Sequence, residues 1–125
     1  MDDSMQIPPS IRCDVECKGG VEGIAKIAPG QEQLEAKSVI FKALSSQIRL
    51  RILALIAIQP MCVCMIKHYV RSADSKLSYH LNILKSAALI TSEQEGNFLI
   101  YSATLLCKKM VAFTFELTSP GVGQK

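Results

Sequence analysis

A chain of 125 residues, 49% hydrophobic and 20% charged, has room for one modest core and is too apolar to remain disordered. Its net charge of +3 permits a nucleic-acid partner without demanding one. The acidic start Met1-Asp2-Asp3-Ser4 leads into no apolar signal region, and the longest apolar run, Ile52 to Ile58, is far too short for a bilayer. The sequence therefore predicts a cytoplasmic protein with no membrane partner.

Residues 1–31 read as a flexible N-terminal arm carrying Cys13 and Cys17. Pro8, Pro9, Gly19, Gly20, Gly23, Pro29 and Gly30 break any long periodicity, and only Val21 to Ile27 allows a short helical piece. From there Leu34, Ile40, Phe41 and Leu44 mark a helix over 32–44. Ser46 is an N-cap candidate for the next helix, Gln47 to Ile58, which Pro60 ends. This second helix is apolar nearly all round, which predicts burial at the centre of the core. Arg49 and Arg51 are then expected in internal ion pairs rather than on phosphates. Val63, Ile66 and Val70 mark a third helix over Cys62 to Val70, and Arg71 to Asp74 turn the chain into a fourth over 73–86.

In that fourth helix Leu77, Leu81 and Leu84 form one buried stripe, while Ser75, Ser78, Tyr79, Asn82 and Lys85 face outward. An ordinary amphipathic surface helix shares this pattern. Two short helices joined by about four residues, the second polar outside, are also the helix-turn-helix arrangement. On that reading Ser75, Ser78, Tyr79 and Asn82 point to DNA base edges, with Lys76 and Lys85 nearer the phosphates. After Ser86 the period becomes alternating, and Leu89 to Gln94 and Asn97 to Ser102 flank Glu95-Gly96 as a hairpin. Thr104 to Leu117 is a last, apolar helix, expected to pair with helix 32–44 in a homodimer, and 119–125 is a Gly/Pro tail. The predicted fold is mainly α with a β-hairpin wing, a homodimeric winged helix-turn-helix in the order α-α-α-α-β-β-α, its domain covering 32–118.

Five cysteines without a secretory signal argue against a disulfide framework. Cys13 with Cys17 and Cys62 with Cys64 form close pairs, and paired thiols in a reducing compartment point to metal or redox chemistry. Thiolates suit soft ions: Cd²⁺, Pb²⁺, Zn²⁺ or As(III). On a regular helix residues two apart diverge, so Cys62 and Cys64 share an ion only at a frayed first turn or through distortion of the helix. Cys107 is expected in the core or an interface, His80 as a packing residue, and His68 at the surface as a spare ligand at most.

Ala43-Leu44-Ser45-Ser46-Gln47-Ile48-Arg49-Leu50-Arg51-Ile52-Leu53 resembles the opening core segment of the ArsR/SmtB repressors. Met61-Cys62-Val63-Cys64-Met65-Ile66 resembles their metal box, Leu77-Ser78-Tyr79-His80-Leu81 their recognition-helix signature, and Gly96 to Tyr101 their wing. The resemblance runs over about 33–117 and implies a homodimeric repressor that leaves operator DNA when metal binds. With Cys13-Asp14-Val15-Glu16-Cys17 in the arm, the chain is similar to the cadmium/lead-sensing CadC type, which implies a four-thiolate site of Cys13, Cys17, Cys62 and Cys64. The third cysteine of the arsenite-sensing type is Lys67 here, and the metal-box acid is Met65. Ala73 stands where the family has a serine cap, leaving the cap to Ser72 or Asp74. The last helix carries Leu105 and Cys107 in place of the Asp-x-His of a second zinc site, which the resemblance therefore excludes.

The sequence thus predicts a metal-responsive repressor that binds double-stranded operator DNA in its apo form. Two other readings stay open: a thiol-redox regulator of the same fold, and an intracellular metal buffer that binds no DNA. No nucleophile–base set or phosphate loop points to an enzyme.

Overall fold

The computed structural model describes residues 5–118, so the tail expected at 119–125 lies outside the described residues. Two compact units divide the chain, one ending at Ala36 and the other beginning at Lys37.

In the first unit, the stretch read as an arm holds two helices, α1 (Pro9–Cys17) and α2 (Gly20–Ile27). The second matches the short piece predicted from Val21; the first has no counterpart in the sequence reading. Pro9 sits in the first turn of α1, where a missing N–H leaves no helical bond unmade. Gly19 adopts a left-handed φ of +92°, and a Cβ on Gly23 would lie 2.0 Å from the carbonyl oxygen of Lys18. The glycines that read as breakers are what let the chain turn from one helix into the next. No residue of either helix is buried.

After α3 (Gln31–Leu44), which spans the division, the second unit continues with α4 (Gln47–Ile58), β1 (Met61–Cys62), α5 (Val63–Tyr69) and α6 (Asp74–Ser86). Then come β2 (Ile90–Glu95), β3 (Phe98–Ala103) and α7 (Leu105–Thr118). This is a winged helix-turn-helix, with α5 and α6 as the two-helix motif and β2–β3 as the wing. Strand β1 adds to the predicted order: it pairs antiparallel with β3, giving a sheet ordered β1-β3-β2. The hairpin register pairs Glu95 with Phe98, so the turn is Gly96-Asn97, one residue later than predicted. Gly96 takes φ +61° at the first central position, where two-residue hairpin turns of the II′ kind place glycine.

The core is built from Ile52, Leu53 and Ile56 of α4, Ile66 of α5, Leu77 and Leu84 of α6, Leu89, Ile90 and Cys107. Burying each large aliphatic side chain contributes about 1.5–3 kcal/mol. Ser46 caps α4 as predicted, its hydroxyl accepting the N–H of Arg49 at 3.4 Å. The expected burial of α4 on all sides is corrected: Ile58 is 77% exposed and Leu50 and Leu55 are half-buried. A domain of this size has too few elements to surround one helix. Thr104 fastens α7, its hydroxyl accepting the N–H of Cys107 at 3.2 Å and donating to the carbonyl of Ala88 at 2.8 Å. Ala88 itself is left-handed at φ +61°, a conformation costly for a residue with a Cβ.

Arg49 also departs from its expected ion pair. Its Nε donates to the carbonyl of Ala43 at 2.8 Å, one Nη to that of Lys42 at 3.2 Å, and the other Nη to His80 Nδ1 at 2.9 Å. Lys42 and Ala43 lie in the last turn of α3, whose carbonyls lack helical partners and carry the negative end of the helix dipole. They take the cation without any carboxylate. Arg51 is exposed, likewise with no carboxylate partner among the described residues. Because a guanidinium only donates, His80 Nδ1 accepts and the imidazole is neutral. Burial first, then the charges of Arg49 and Lys76, hold His80 below its ordinary 6.5.

Two outcomes are expected. Ala88→Gly should stabilise the fold by about 0.5–1 kcal/mol, the relief of left-handed strain exceeding glycine's entropy cost, as read from urea midpoints. His80 should make stability fall on acidification. The unfolded chain takes up the proton near 6.5 while the folded chain resists it, so stability is full above that pH and declines as pH drops towards the folded value. The urea midpoint of His80→Gln should decline less between pH 7.5 and 5; superimposable profiles would refute this account of the Arg49–His80 contact.

Candidate functional site

Helix α6 has the two faces the sequence predicts. Leu77, His80, Leu81 and Leu84 are buried, whereas Ser75, Lys76, Ser78, Tyr79, Asn82 and Lys85 are all exposed. At about 100° per residue, Ser75, Tyr79 and Asn82 centre the outer face, with Lys76 and Lys85 at its opposite edges. Tyr79 and Asn82 also border a groove of about 520 Å³ shared with Val39, Lys42 and Arg49. The cap assigned to Ser72 or Asp74 is not made. Ala73 is the N-cap without a side-chain bond, Ser72 donates to the carbonyl of Ala73 at 3.5 Å, and Asp74 pairs with Lys67 Nζ at 2.8 Å. Asp74 still places a negative charge in the first turn of α6, where the helix dipole favours it.

Cys62 and Cys64 sit where β1 becomes α5. Cys62 is extended, with φ −82° and ψ 167°, because β1 is paired to β3, and it is the N-cap of α5; Cys64 lies in the first turn. The helix thus begins one residue later than the sequence predicts, and the two sulfurs converge to 2.7 Å instead of diverging. This is the helix-start arrangement that lets residues two apart act together. The Cys64 thiol and the backbone N–H of Met65 hold Cys62 below the ordinary thiol value of 9.0. The same contact holds Cys64 above it. As a pair they release one proton easily and the second with difficulty. Thiolates sharing one tetrahedral ion, with bonds of about 2.3 Å, stand about 3.8 Å apart, so ligation would open this pair.

Cys13 and Cys17 lie four residues apart on α1, hence on one face, and both are exposed. The four cysteines therefore form two pre-arranged pairs with donor chemistry fit for a soft ion. Among the described residues, no three or more Cys, His, Asp or Glu side chains are gathered to hold one. Cys107 is fully buried and its thiol is pushed up by that burial, which makes it inert. His80 is packed as predicted, and His68 is exposed. The Arg49–His80 contact escaped the sequence reading. Its only trace was one of two arginines on an otherwise apolar helix.

No described helix is long and apolar enough to cross a membrane. The family described as bacterial regulatory protein, arsR family, matches residues 46–92. An uncharacterized HTH-type transcriptional regulator of Methanocaldococcus jannaschii is 39% identical over 71 residues, covering 56% of this chain and 80% of that protein. The arsenical resistance operon repressor of Bacillus subtilis is 45% identical over 62 residues, covering 49% of this chain and 59% of the relative. The cadmium resistance transcriptional regulatory protein CadC of Listeria innocua is 35% identical over 65 residues, covering 51% and 55% respectively. The chain thus spans little more than half the length of these two resistance regulators. HlyU from Vibrio cholerae N16961 shares the fold, with a TM-score of 0.66 at 22% identity over 73% of this chain and 100% of that one. With the helix-turn-helix, wing and matching relatives in place, the chain belongs to the ArsR family of transcriptional regulators, which are not enzymes.

Proposed function

We propose that this regulator binds operator DNA as a homodimer in its apo form and is released when a soft metal or metalloid ion is held by Cys62 and Cys64 together with Cys13 and Cys17. The observation that carries the reading is the meeting of the Cys62 and Cys64 sulfurs at 2.7 Å at the start of α5, the helix just before α6. The arsenical- and cadmium-resistance relatives support thiophilic effectors: Cd²⁺, Pb²⁺, Zn²⁺ or As(III). When bound, such an ion supplies only strong sulfur ligation. The response belongs to the chain, because Cys62 is at once a residue of β1, the cap of α5 and the register partner of Ile100 in the wing. Release needs the ion to favour the DNA-incompetent dimer by about 1–3 kcal/mol.

The homodimer rests on apolar side chains left at the surface, Val39 and Phe41 on α3 and Leu105 and Phe113 on α7. A two-fold pairing through these helices would set the recognition helices about 34 Å apart, on successive major grooves. The sulfur contact also favours a second reading. A hydroperoxide would oxidise the two thiols to a disulfide, taking two electrons and two protons and leaving water and an alcohol. Metal titration under strictly reducing conditions separates the two.

The deciding measurement is fluorescence anisotropy of a duplex selected from a random-sequence pool, titrated in turn with Cd²⁺, Pb²⁺, Zn²⁺ and As(III). An effective ion should weaken binding by about 5–150-fold. Cys62→Ser and Cys64→Ser should keep apo binding and lose the response, together with the thiolate-to-Cd²⁺ charge-transfer absorption. Cys13→Ser or Cys17→Ser should weaken ion affinity, and Cys107→Ser should respond as wild type. Retention of both signals without Cys62 or Cys64 would falsify the thiolate site. For the DNA face, Ser78→Ala and Tyr79→Ala should each lose about 1–3 kcal/mol at the selected duplex and little at unrelated DNA. Wild-type affinity in both would reassign this face.

A further inference from the structure

A cleft of about 320 Å³ lies beside the helix-turn-helix, lined by Gln47, Ile48 and Arg51 from α4, Tyr69 and Val70 from the end of α5, and Arg71 from the turn. Arg51 and Arg71 both line this opening, together with Gln47 and Tyr69, whose amide and hydroxyl are further donor types. Neither arginine has an acidic partner among the described residues. The nearest candidate in sequence, Asp74, is taken by Lys67 at 2.8 Å. The first turn of α4, which supplies Gln47 and Ile48, carries no acidic residue that would repel an anion. Two unpaired, permanently charged forks at one cleft make a site for a phosphate-like oxyanion, which arginine binds through two parallel hydrogen bonds.

The position of the cleft identifies the source of that anion. Arg71 precedes Ser75, the first of the outward-facing residues of α6, by four residues, a span of at most about 14 Å. The major groove is about 12 Å wide, so a residue held within that distance of the start of α6 is within reach of the backbone flanking the groove. We infer that Arg51 and Arg71 clamp a phosphodiester of the DNA backbone at the edge of the operator, in addition to the phosphate contacts of Lys76 and Lys85. The inference rests on the proposed DNA binding and adds two positions that α6 itself does not supply. Such a contact positions the protein and reads no sequence, so its signature is electrostatic.

The test is anisotropy with the selected duplex and with an unrelated duplex of equal length, each measured across a salt series for wild type, Arg51→Gln, Arg71→Gln and the double variant. Circular dichroism confirms folding, since both side chains lie at the surface. Each single variant removes one contact from each subunit of the dimer, so it should weaken both duplexes alike and lower the slope of log affinity against log salt by about two, the double variant by about four. Unchanged slopes, with wild type binding normally, overturn the clamp and leave the operator reading intact. A loss at the selected duplex alone also overturns it, because that marks a base contact. A wild type that binds neither duplex defeats both the clamp and the proposed function. A further arm titrates inorganic phosphate and follows backbone amide shifts at residues 51 and 71. Saturation at millimolar phosphate together with an unchanged DNA slope assigns the cleft to a free anion and overturns the backbone assignment.

Discussion

The pairing of a two-residue strand decides what the cysteines can do. Met61 and Cys62 lie opposite Tyr101 and Ile100 of the wing, and this contact keeps Cys62 in an extended conformation. Without it, α5 would start earlier, Cys62 and Cys64 would both be helical, and their side chains would point apart. With it, Cys62 becomes the cap of α5 and its sulfur meets that of Cys64 at 2.7 Å. One backbone ladder thus creates a dithiol and joins it to the wing on one side and the helix-turn-helix on the other. Anything that moves these sulfurs acts on both the wing and the helix-turn-helix.

Helix α6 is held from its inner side by a different kind of contact. Leu77, Leu81 and Leu84 bury one face of it against the core, which sets the side turned inward, but hydrophobic packing is non-directional and leaves the finer orientation to other contacts. Arg49 adds direction, bridging the last carbonyls of α3 to His80 of α6 through three hydrogen bonds. The end of α3 and the orientation of the outer face of α6 are therefore linked through one side chain. If α3 forms part of the dimer interface, as proposed, a change in dimer geometry reaches α6 by this route.

Much of this architecture was legible in the sequence, and what was missed has definite causes. Helices α3 to α7 and the hairpin follow apolar periodicity, and their ends fall within a residue or two of those predicted. The buried and exposed faces of α6 agree residue by residue, because Leu77, His80, Leu81 and Leu84 and the polar set between them leave no other partition. Helix α1 was illegible for the opposite reason: it buries nothing, and the prolines and glycines around it read as breakers although they build its start and its corner. Strand β1 is too short for any period, and its partner lies far along the chain. The start of α5 depends on that partner, so sequence could name the thiols but not decide whether they converge. Arg49 was misjudged because charge patterns reveal carboxylates and never the free carbonyls at a helix end.

A net charge of +3 is small for a DNA-binding protein, yet placement matters more than the total. Lys76 and Lys85 at the edges of α6 and Arg51 and Arg71 at the neighbouring cleft put four cations near one groove. On the proposed reading, four phosphate contacts per subunit give a salt slope of about −3.6, or about −7 for a dimer. Affinity of that origin is strong at low salt and moderate at physiological salt. A moderate affinity is also what a switch of 1–3 kcal/mol needs, since a shift of about 5–150-fold empties the operator only when binding is not already far beyond saturation. A more basic chain would bind DNA more tightly and, for the same sulfur chemistry, would be harder to release.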